Sequence, residues 1–524
     1  MKRLWMTAGV ALSAAAPLAG AQTLNIVRAT EAPHYDPQRT TWSATSDVTH
    51  MVQDTLVALD WDGKTAIPLL AKSWTVSPDG KLYVFKLRDD VTFCSGKKFT
   101  AEDVIYSFKR QIGQVDGKKS PYAWRAGKIK ELRAPDPYTV EYELTEPYSD
   151  LLVQLTMFNS AIQNKESVDA LGKDYGIKGI DGTGPYCFVS WQPRTETVLK
   201  RHDAYRWGPA MYKNRGPVNF EKLVIKIVPE DTSRLAAMMS GAFDSTRDFP
   251  TQFIEQAKKN PMLKVEEAQP NFQLMYYGFK ATRPLVSDKR VREAMSIAIN
   301  RAELTKAVML GASDPAYTYI HPGALDFAPS TKGVVKEDLA RANKLLDEAG
   351  WTKRDKDGIR TKDGQRMEPI VYIPALAYFP RVSEAIQGYM RKIGVDWKIV
   401  ALDSSVMPAK LSSQDFDLWT VTVPYLLAGE LMNFYFDSAQ MPVPNRMNWK
   451  DPATDEAIRL GRTALDDAGR AKGYQRAQEI VMAEHLWIPV MTTKMYQTTN
   501  KKLKNLRAHM LFQYTFYKGL DATF

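Results

Sequence analysis

The sequence predicts an α/β protein of roughly three structural units, on a length prior of about 150 residues each. Three observations carry this. At 524 residues the chain exceeds what one hydrophobic core holds. Strand and helix patterns alternate as βαβ units in two separated stretches, near residues 222–245 and 371–400. No period of about 20–50 residues runs through the chain, which excludes a solenoid. The hydrophobic (44%) and charged (25%) fractions are those of an ordinary globular protein.

The elements follow in order. Lys2 and Arg3, a short apolar run over 4–16 and Ala19-Gly20-Ala21 read as a processing signal, residues 1–21, so the mature chain begins near Gln22. The run is too short for a permanent membrane anchor, and no later run of about 18 apolar residues exists. No cysteine stands directly after it, which argues against a lipid anchor. Residues 23–29 read as a strand and 31–42 as a loop. Residues 47–57 read as a helix with Val48, Met51, Val52 and Leu56 in register.

Ser77-Pro78-Asp79-Gly80 has the residues of a type I turn. Tyr83, Phe85 and Leu87 then alternate with Leu82, Val84 and Lys86 as a strand. Thr100 with Asp103 three residues on makes a capping-box start, and Val104, Ile105, Phe108 and Ile112 share the face of the helix behind it. Residues 131–148 alternate as strands around Pro135-Asp136-Pro137, and 151–162 read as a buried helix. Residues 222–228, a helix with Leu235, Met238 and Met239 capped by Gly241, and 242–245 form the first βαβ unit. An aromatic strand spans 272–279. Helices follow at 288–300, 303–310 and 338–349. A strand at 371–373, a helix at 381–393 and a strand at 395–400 form the second unit. A long helix covers 469–485, and a strand 488–492.

Several stretches together carry a resemblance. They are PLLA-x-SW ahead of the SPDG turn, F-x-x-G-x-x-F-T-A-E-D-V at 93–104, Gly182-Thr183-Gly184-Pro185-Tyr186, DKRVREAMSIAINR at 288–301, ANKLLDEAGW at 342–351 and YQRAQEIVMAEHLWIP at 474–489. In this order they resemble the extracytoplasmic solute-binding proteins of peptide, oligopeptide and nickel ABC importers (family 5, cluster C type). The resemblance implies the two-lobed periplasmic-binding-protein fold of type II, with an extra subdomain in the first lobe. Lobe I would cover 22–270, with the subdomain at about 66–174. Lobe II would cover 271–487, and 488–524 would return to lobe I. It further implies a periplasmic monomer that captures a small ligand and hands it to permease and ATPase subunits. A ligand sensor for a membrane receptor, an exported enzyme on the same scaffold and a holdase are the rival readings.

The residues themselves show no chemistry to set against this. There is no G-x-S-x-G, H-E-x-x-H, Walker A or G-x-G-x-x-G motif. None of the six histidines is spaced at i, i+3 or i, i+4 from another, so neither a dedicated metal site nor a cofactor is expected. The formal charge is +10, or +8 without Lys2 and Arg3, but acids are interleaved with the bases, so no nucleic-acid partner is expected. Cys94 and Cys187 are the only cysteines. An oxidising compartment permits a bridge between them; two separate buried thiols are the alternative.

What remains is binding, for which aromatic faces with a few polar groups are suited. In the loop 31–42, the resemblance makes Glu31, Tyr35 and Trp42 candidates to line the cleft, with ordinary packing as the alternative. Asn271 opens the crossover strand, where the alternative is a core strand. The third place is FDLWTVTVPYLLAGELMNFYF at 416–436. Peptide-binding relatives carry an acid here that pairs with the ligand's α-ammonium, since an unpaired buried charge is costly. At 423–427 no acid occurs, and Glu430 is the nearest. The expected ligand therefore lacks a free α-ammonium: a sugar, an opine-like conjugate, a modified peptide or an aromatic acid. Trp419 and Tyr425 would stack on it and Arg446 would pair with an anionic group, a structural role being the alternative for Arg446. A peptide bound through an atypical ammonium site is the runner-up.

Overall fold

The computed structural model describes residues 22–40, 42–268, 272–375, 378–403, 406–508 and 518–524. The expected processing signal and Asn271 lie outside the described residues.

The first lobe is built on a seven-stranded sheet. Its order is Leu263–Glu267, Tyr496–Asn500, Ser245–Thr246, Thr23–Arg28, Lys222–Ile227, Glu196–Arg201 and Tyr186–Gln192. Thr23–Arg28 runs parallel to both neighbours. The helix Asp231–Met239 joins two of these parallel strands, with Gly241 in the left-handed region after it. Lys222–Ile227 buries Leu223, Val224 and Ile225 in a row rather than alternately. Both faces of a parallel strand are covered, so period-two patterning is lost.

A four-stranded antiparallel sheet stands beside it, in the order Ala71–Val76, Leu82–Leu87, Thr139–Leu144, Ile129–Asp136. The SPDG turn closes its first hairpin: the Gly80 N–H donates to Ser77 O at 2.8 Å, with Gly80 at φ +68°. Tyr83, Phe85 and Leu87 point into the core. The helix Ala101–Gln111 starts at Thr100 with both halves of the capping box formed, and Phe108 meets Tyr142 edge to face at 5.2 Å. A disulfide joins Cys94 to Cys187, with Cα atoms 5.6 Å apart.

Two helices differ from expectation. Instead of 47–57 the helix is Ser46–Val52, and Gln53 is extended. The carbonyl of Val52 is taken by the Gly184 N–H at 2.8 Å, and a Cβ at Gly184 would lie 2.4 Å from Met51 O. The glycine loop thus packs onto the helix end and stops it. Residues 151–162 are buried but not one helix. One turn, Leu151–Gln154, is followed by a 3-10 turn, Phe158–Ser160. Polar residues break it: the Thr156 hydroxyl donates to Val153 O at 2.7 Å and the Asn159 amide to Pro37 O at 2.9 Å.

The second lobe has a six-stranded sheet in the order Ser313–Pro315, Trp487–Thr493, Leu274–Phe279, Leu418–Val423, Ile370–Pro374, Lys398–Leu402. Met275, Tyr277 and Phe279 pack under the helices Lys289–Ile297, Arg301–Met309, Leu339–Glu348 and Phe379–Lys392. Leu274 and Tyr276 pack on the other face with Ala428–Tyr435, Pro452–Arg462 and Asp467–Ala483. The last strand of the second βαβ unit begins only at Lys398; Val395 and Trp397 are buried ahead of it.

The chain passes between the two large sheets twice. The first passage lies between Glu267 and Leu274. The second lies at Lys494 and Met495 rather than at 488, because Trp487–Thr493 pairs with Leu274–Phe279. The passages are bonded to each other, Thr493 N to Gln273 O at 3.1 Å and Ala268 N to Met495 O at 2.9 Å. Near the C-terminus the Lys518 ammonium is fully buried on Asp54, whose other oxygen accepts from Thr183 and Trp207 at 3.0 Å each.

Candidate ligand site between the lobes

Open α/β sheets bind ligands beyond the carboxyl ends of their parallel strands. In the first lobe that edge carries Arg28, at the end of Thr23–Arg28, and Arg247, just past Ser245–Thr246. Arg247 grips both oxygens of Asp47 at 2.8 Å and Arg28 adds a bond to it at 3.1 Å. All three are buried. Burial pushes the Asp47 carboxyl up, against the pull of the two guanidinium groups, and pushes Arg28 down.

The two lobes meet at a seam of aromatic and charged side chains. The 3-10 turn Ala123–Ala126 of the first lobe supplies Trp124 and Arg125, with Tyr122 just before it. The helix Ala428–Tyr435 of the second supplies Glu430, Phe434 and Tyr435. Arg125 Nη2 lies 2.5 Å from Glu430 Oε1, both side chains being about nine-tenths buried. Arg125 also donates to Asn159 Oδ1 at 3.2 Å, while the other oxygen of Glu430 accepts the Leu426 N–H at 3.1 Å. The guanidinium lies over Tyr122 at 4.5 Å and over Trp124 at 5.4 Å. Tyr122 stacks on Phe434 at 5.7 Å. Burial pushes the Tyr435 phenol up to about 12. Half-buried Arg446 acts electrostatically on Tyr435 and Tyr122, and its Nε has no hydrogen-bond partner among the described residues. Leu426 and Leu427 of the second lobe pack into the core of the first. Farther along, Tyr474 of the second lobe donates to Asp150 of the first at 2.8 Å.

The residues singled out from sequence are thus separated. Glu430 and Arg446 sit at the seam. Glu31 faces its own lobe, accepting from Trp191 Nε1 at 2.7 Å and from the Arg194 N–H. Tyr35 is a core residue, not a cleft residue: it is 3% exposed, bonded to Thr197 at 2.6 Å and packed on Trp191. Trp42 is half-buried at the end of its loop. Trp419 is likewise core. Its indole lies on Gly278, where a Cβ would come within 2.3 Å, and against Phe416 and Tyr276. Tyr425 stacks on Phe272 and lines a groove of about 700 Å3 on the second lobe with Leu274, His321 and Thr492.

Sequence reasoning missed Arg28, Asp47, Arg247, Tyr122, Trp124, Arg125 and Asn159. The available signal was Tyr122-Ala123-Trp124-Arg125, aromatic and basic residues in a loop between Pro121 and Gly127. Among the described residues, ligand atoms of Cys94, Cys187 and His202 lie within 4.8 Å of one another, but the two sulfurs are bonded together and offer no thiolate.

Two α/β lobes, joined by paired passages and meeting at an aromatic, charged seam, have the architecture of a binding protein with its site between lobes. The model of the bacterial extracellular solute-binding proteins, family 5 Middle, matches residues 65–497. The nickel-binding periplasmic protein of Escherichia coli (strain K12) is 26% identical over 483 residues, 87% of this chain and 86% of that one. The periplasmic binding protein DppA of Helicobacter pylori, solved with the peptide STSA, has a TM-score of 0.83 at 22% identity, covering 95% of this chain and 97% of that one. AgaA from A. tumefaciens R10, solved with agropinic acid, has a TM-score of 0.82 at 21% identity, covering 96% and 98%. The chain belongs to the family 5 extracellular solute-binding proteins. It is an extracellular solute-binding protein, with the two-lobed fold of the solved structures it resembles.

Proposed function

We propose that the protein works in the periplasm as a monomer, released by cleavage near Gln22, and captures a small molecule that lacks a free α-ammonium. The closed complex docks on a permease driven by a separate ATPase, and the ligand leaves chemically unchanged. One observation carries the ligand reading. Glu430 is the acid nearest to where peptide-binding relatives pair the ammonium, and it is already neutralised by the chain's own Arg125 at 2.5 Å. A second cation there would meet Arg125 rather than a free carboxylate. Arg446, whose Nε has no hydrogen-bond partner among the described residues and which acts on Tyr122 and Tyr435, supports an anionic group on the ligand. The fold does not decide the matter, since relatives of the same fold were solved with a tetrapeptide and with agropinic acid.

Calorimetric titration tests the reading. Opines, sugars and N-acylated peptides are expected to include a tight binder, and unmodified di- and tripeptides to bind weakly. Tight binding of the unmodified peptides overturns it. Native mass spectrometry of protein purified from its host is expected to show a retained, unaltered ligand; its steady conversion to product would favour an enzyme instead.

A further inference from the structure

Cys94, Cys187 and His202 meet at one edge of the first lobe's large sheet. Cys187 is the second residue of Tyr186–Gln192, and His202 directly follows Glu196–Arg201, which pairs antiparallel with that strand. Glu196–Arg201 is also antiparallel to Lys222–Ile227, with Lys200 opposite Lys222. The three residues therefore stand at the amino end of the parallel strands, opposite the end that carries Arg28 and Arg247. Cys94 comes from the connection ahead of the helix Ala101–Gln111, where its N–H donates to Gly182 O at 2.9 Å. A ring nitrogen of His202 and the two sulfurs all lie within 4.8 Å of one another.

A histidine beside a disulfide can simply fill space. This one is held as a metal ligand is held. Its Nδ1 lies 2.9 Å from Gly184 O. A carbonyl only accepts, so Nδ1 carries the hydrogen, and in the neutral ring the lone pair is on Nε2. Metal-binding imidazoles are fixed in the same way, by the other ring N–H on a carbonyl or carboxylate. The backbone N–H of His202 donates to Pro185 O at 2.9 Å, and the ring stands edge to face with Trp207 at 5.6 Å. His202 and Cys187 are buried and Cys94 is half-buried, so the group is open to solvent on the Cys94 side.

We propose that the reduced protein holds a zinc-class cation on Cys94, Cys187 and His202. The loop between the two cysteines is then closed by a disulfide in the oxidised chain and by a metal ion in the reduced one. The reductant is a dithiol. One of its thiolates attacks a sulfur of the bridge and displaces the other; its second thiolate resolves the mixed disulfide. The dithiol leaves as its own disulfide, having passed two electrons and two protons to the cysteines. The cation then displaces those two protons to solvent. Two thiolates and a neutral imidazole on a divalent cation carry no net charge, which removes the penalty of burying a lone ion. Around a tetrahedral zinc such ligand atoms stand about 3.5–4 Å apart, from bonds of about 2.3 Å to sulfur and about 2.0 Å to nitrogen. That spacing is inside the 4.8 Å the three atoms already span. Thiolate and imidazole favour zinc or copper(I) over magnesium or calcium, and three protein ligands leave a fourth position for water. The site is independent of the reading of the seam.

The test uses Co2+, whose absorption reports thiolate ligands and tetrahedral geometry, followed by displacement with Zn2+. The mature protein is reduced without oxygen by a phosphine, which brings no thiol of its own. The reduced protein is expected to give the tetrahedral thiolate spectrum, and the oxidised protein none. His202→Asn keeps an N–H for Gly184 O but has no nitrogen lone pair; it is expected to weaken Co2+ binding at least about ten-fold. No thiolate spectrum in the reduced protein, or an affinity unchanged by His202→Asn, overturns the site. Zn2+ is also expected to raise the Tm of the reduced protein, and to leave unmoved both the oxidised protein and the double variant Cys94→Ser, Cys187→Ser. Equal shifts in all three place the ion elsewhere and overturn the assignment. Where His202→Asn fails to fold, the Zn2+ shift of the reduced parent against that of the double variant decides.

Discussion

At the scale of single residues, the seam turns on one ion pair. Arg125 and Glu430 are 305 residues apart in sequence and 2.5 Å apart in space. Breaking a buried pair by removing one partner costs about 3–5 kcal/mol, because the other charge stays behind uncompensated. Arg125→Gln is therefore expected to destabilise the closed form. It is also expected to give Glu430 a new use: unmodified dipeptides should then bind through their α-ammonium, measurable by calorimetry as affinity absent from the parent. If the variant binds no peptide, Glu430 is not positioned for an ammonium. Glu430 was legible in the sequence as the acid nearest a position that lacked one. Arg125 was not, since nothing local announces a partner in another lobe. Trp419 misled for a related reason. The sequence shows a tryptophan in a strand, but only strand pairing shows Gly278 opposite it, leaving room for the indole to lie flat in the core.

At the scale of elements, local signals proved readable where they depended on neighbours in sequence. The Thr100–Asp103 cap and the SPDG turn are made by residues within a few positions of each other. Thr100→Ala is expected to cost about 1 kcal/mol, read as a lower denaturant midpoint at unchanged slope. The helices at 47–57 and 151–162 failed because distant groups decide their ends: the Gly184 N–H takes the Val52 carbonyl, and Pro37 holds Asn159. The disulfide links the four-stranded sheet's connection to the strand Tyr186–Gln192 across a sequence separation of 93. Its reduction, or Cys94→Ser with Cys187→Ser, is expected to cost about 2–5 kcal/mol. Thermal melts with and without reductant check this; an unchanged Tm would show that the loop is held without the bond.

At the scale of the whole molecule, closure is expected to depend on pH. In the closed form Asp150 lies at the seam with Tyr474, Arg470, Asp326 and Glu430 around it. Burial pushes its carboxyl up to about 7, against the Tyr474 hydrogen bond and Arg470. Opening the lobes would part Asp150 from Tyr474 and return it to water and the ordinary carboxylate range. Between that range and about 7 the closed form holds more protons than the open one, so closing is favoured as pH falls through about 7. Ligand affinity is expected to tighten from about pH 8 to about pH 5.5 by up to ten-fold per unit of pH at most, and Asp150→Asn to flatten the profile. A profile unchanged by that substitution assigns the coupling elsewhere. The length and the two βαβ units made an α/β protein of several units legible in the sequence, and the resemblance carried by the family motifs implied its two lobes. The seam was not, because it forms only when the turn Ala123–Ala126 and the helix Ala428–Tyr435 are brought face to face.

The strand Tyr496–Asn500 lies inside the first lobe's sheet, between Leu263–Glu267 and Ser245–Thr246. A ribosome delivers it only after more than nine-tenths of the chain has been made. Until then the N-terminal sheet is interrupted, with two bare edges where a partner strand belongs. A nascent chain of this protein therefore cannot lock its first half before translation is almost finished, and a product truncated at Thr493 should remain open to proteases throughout that half.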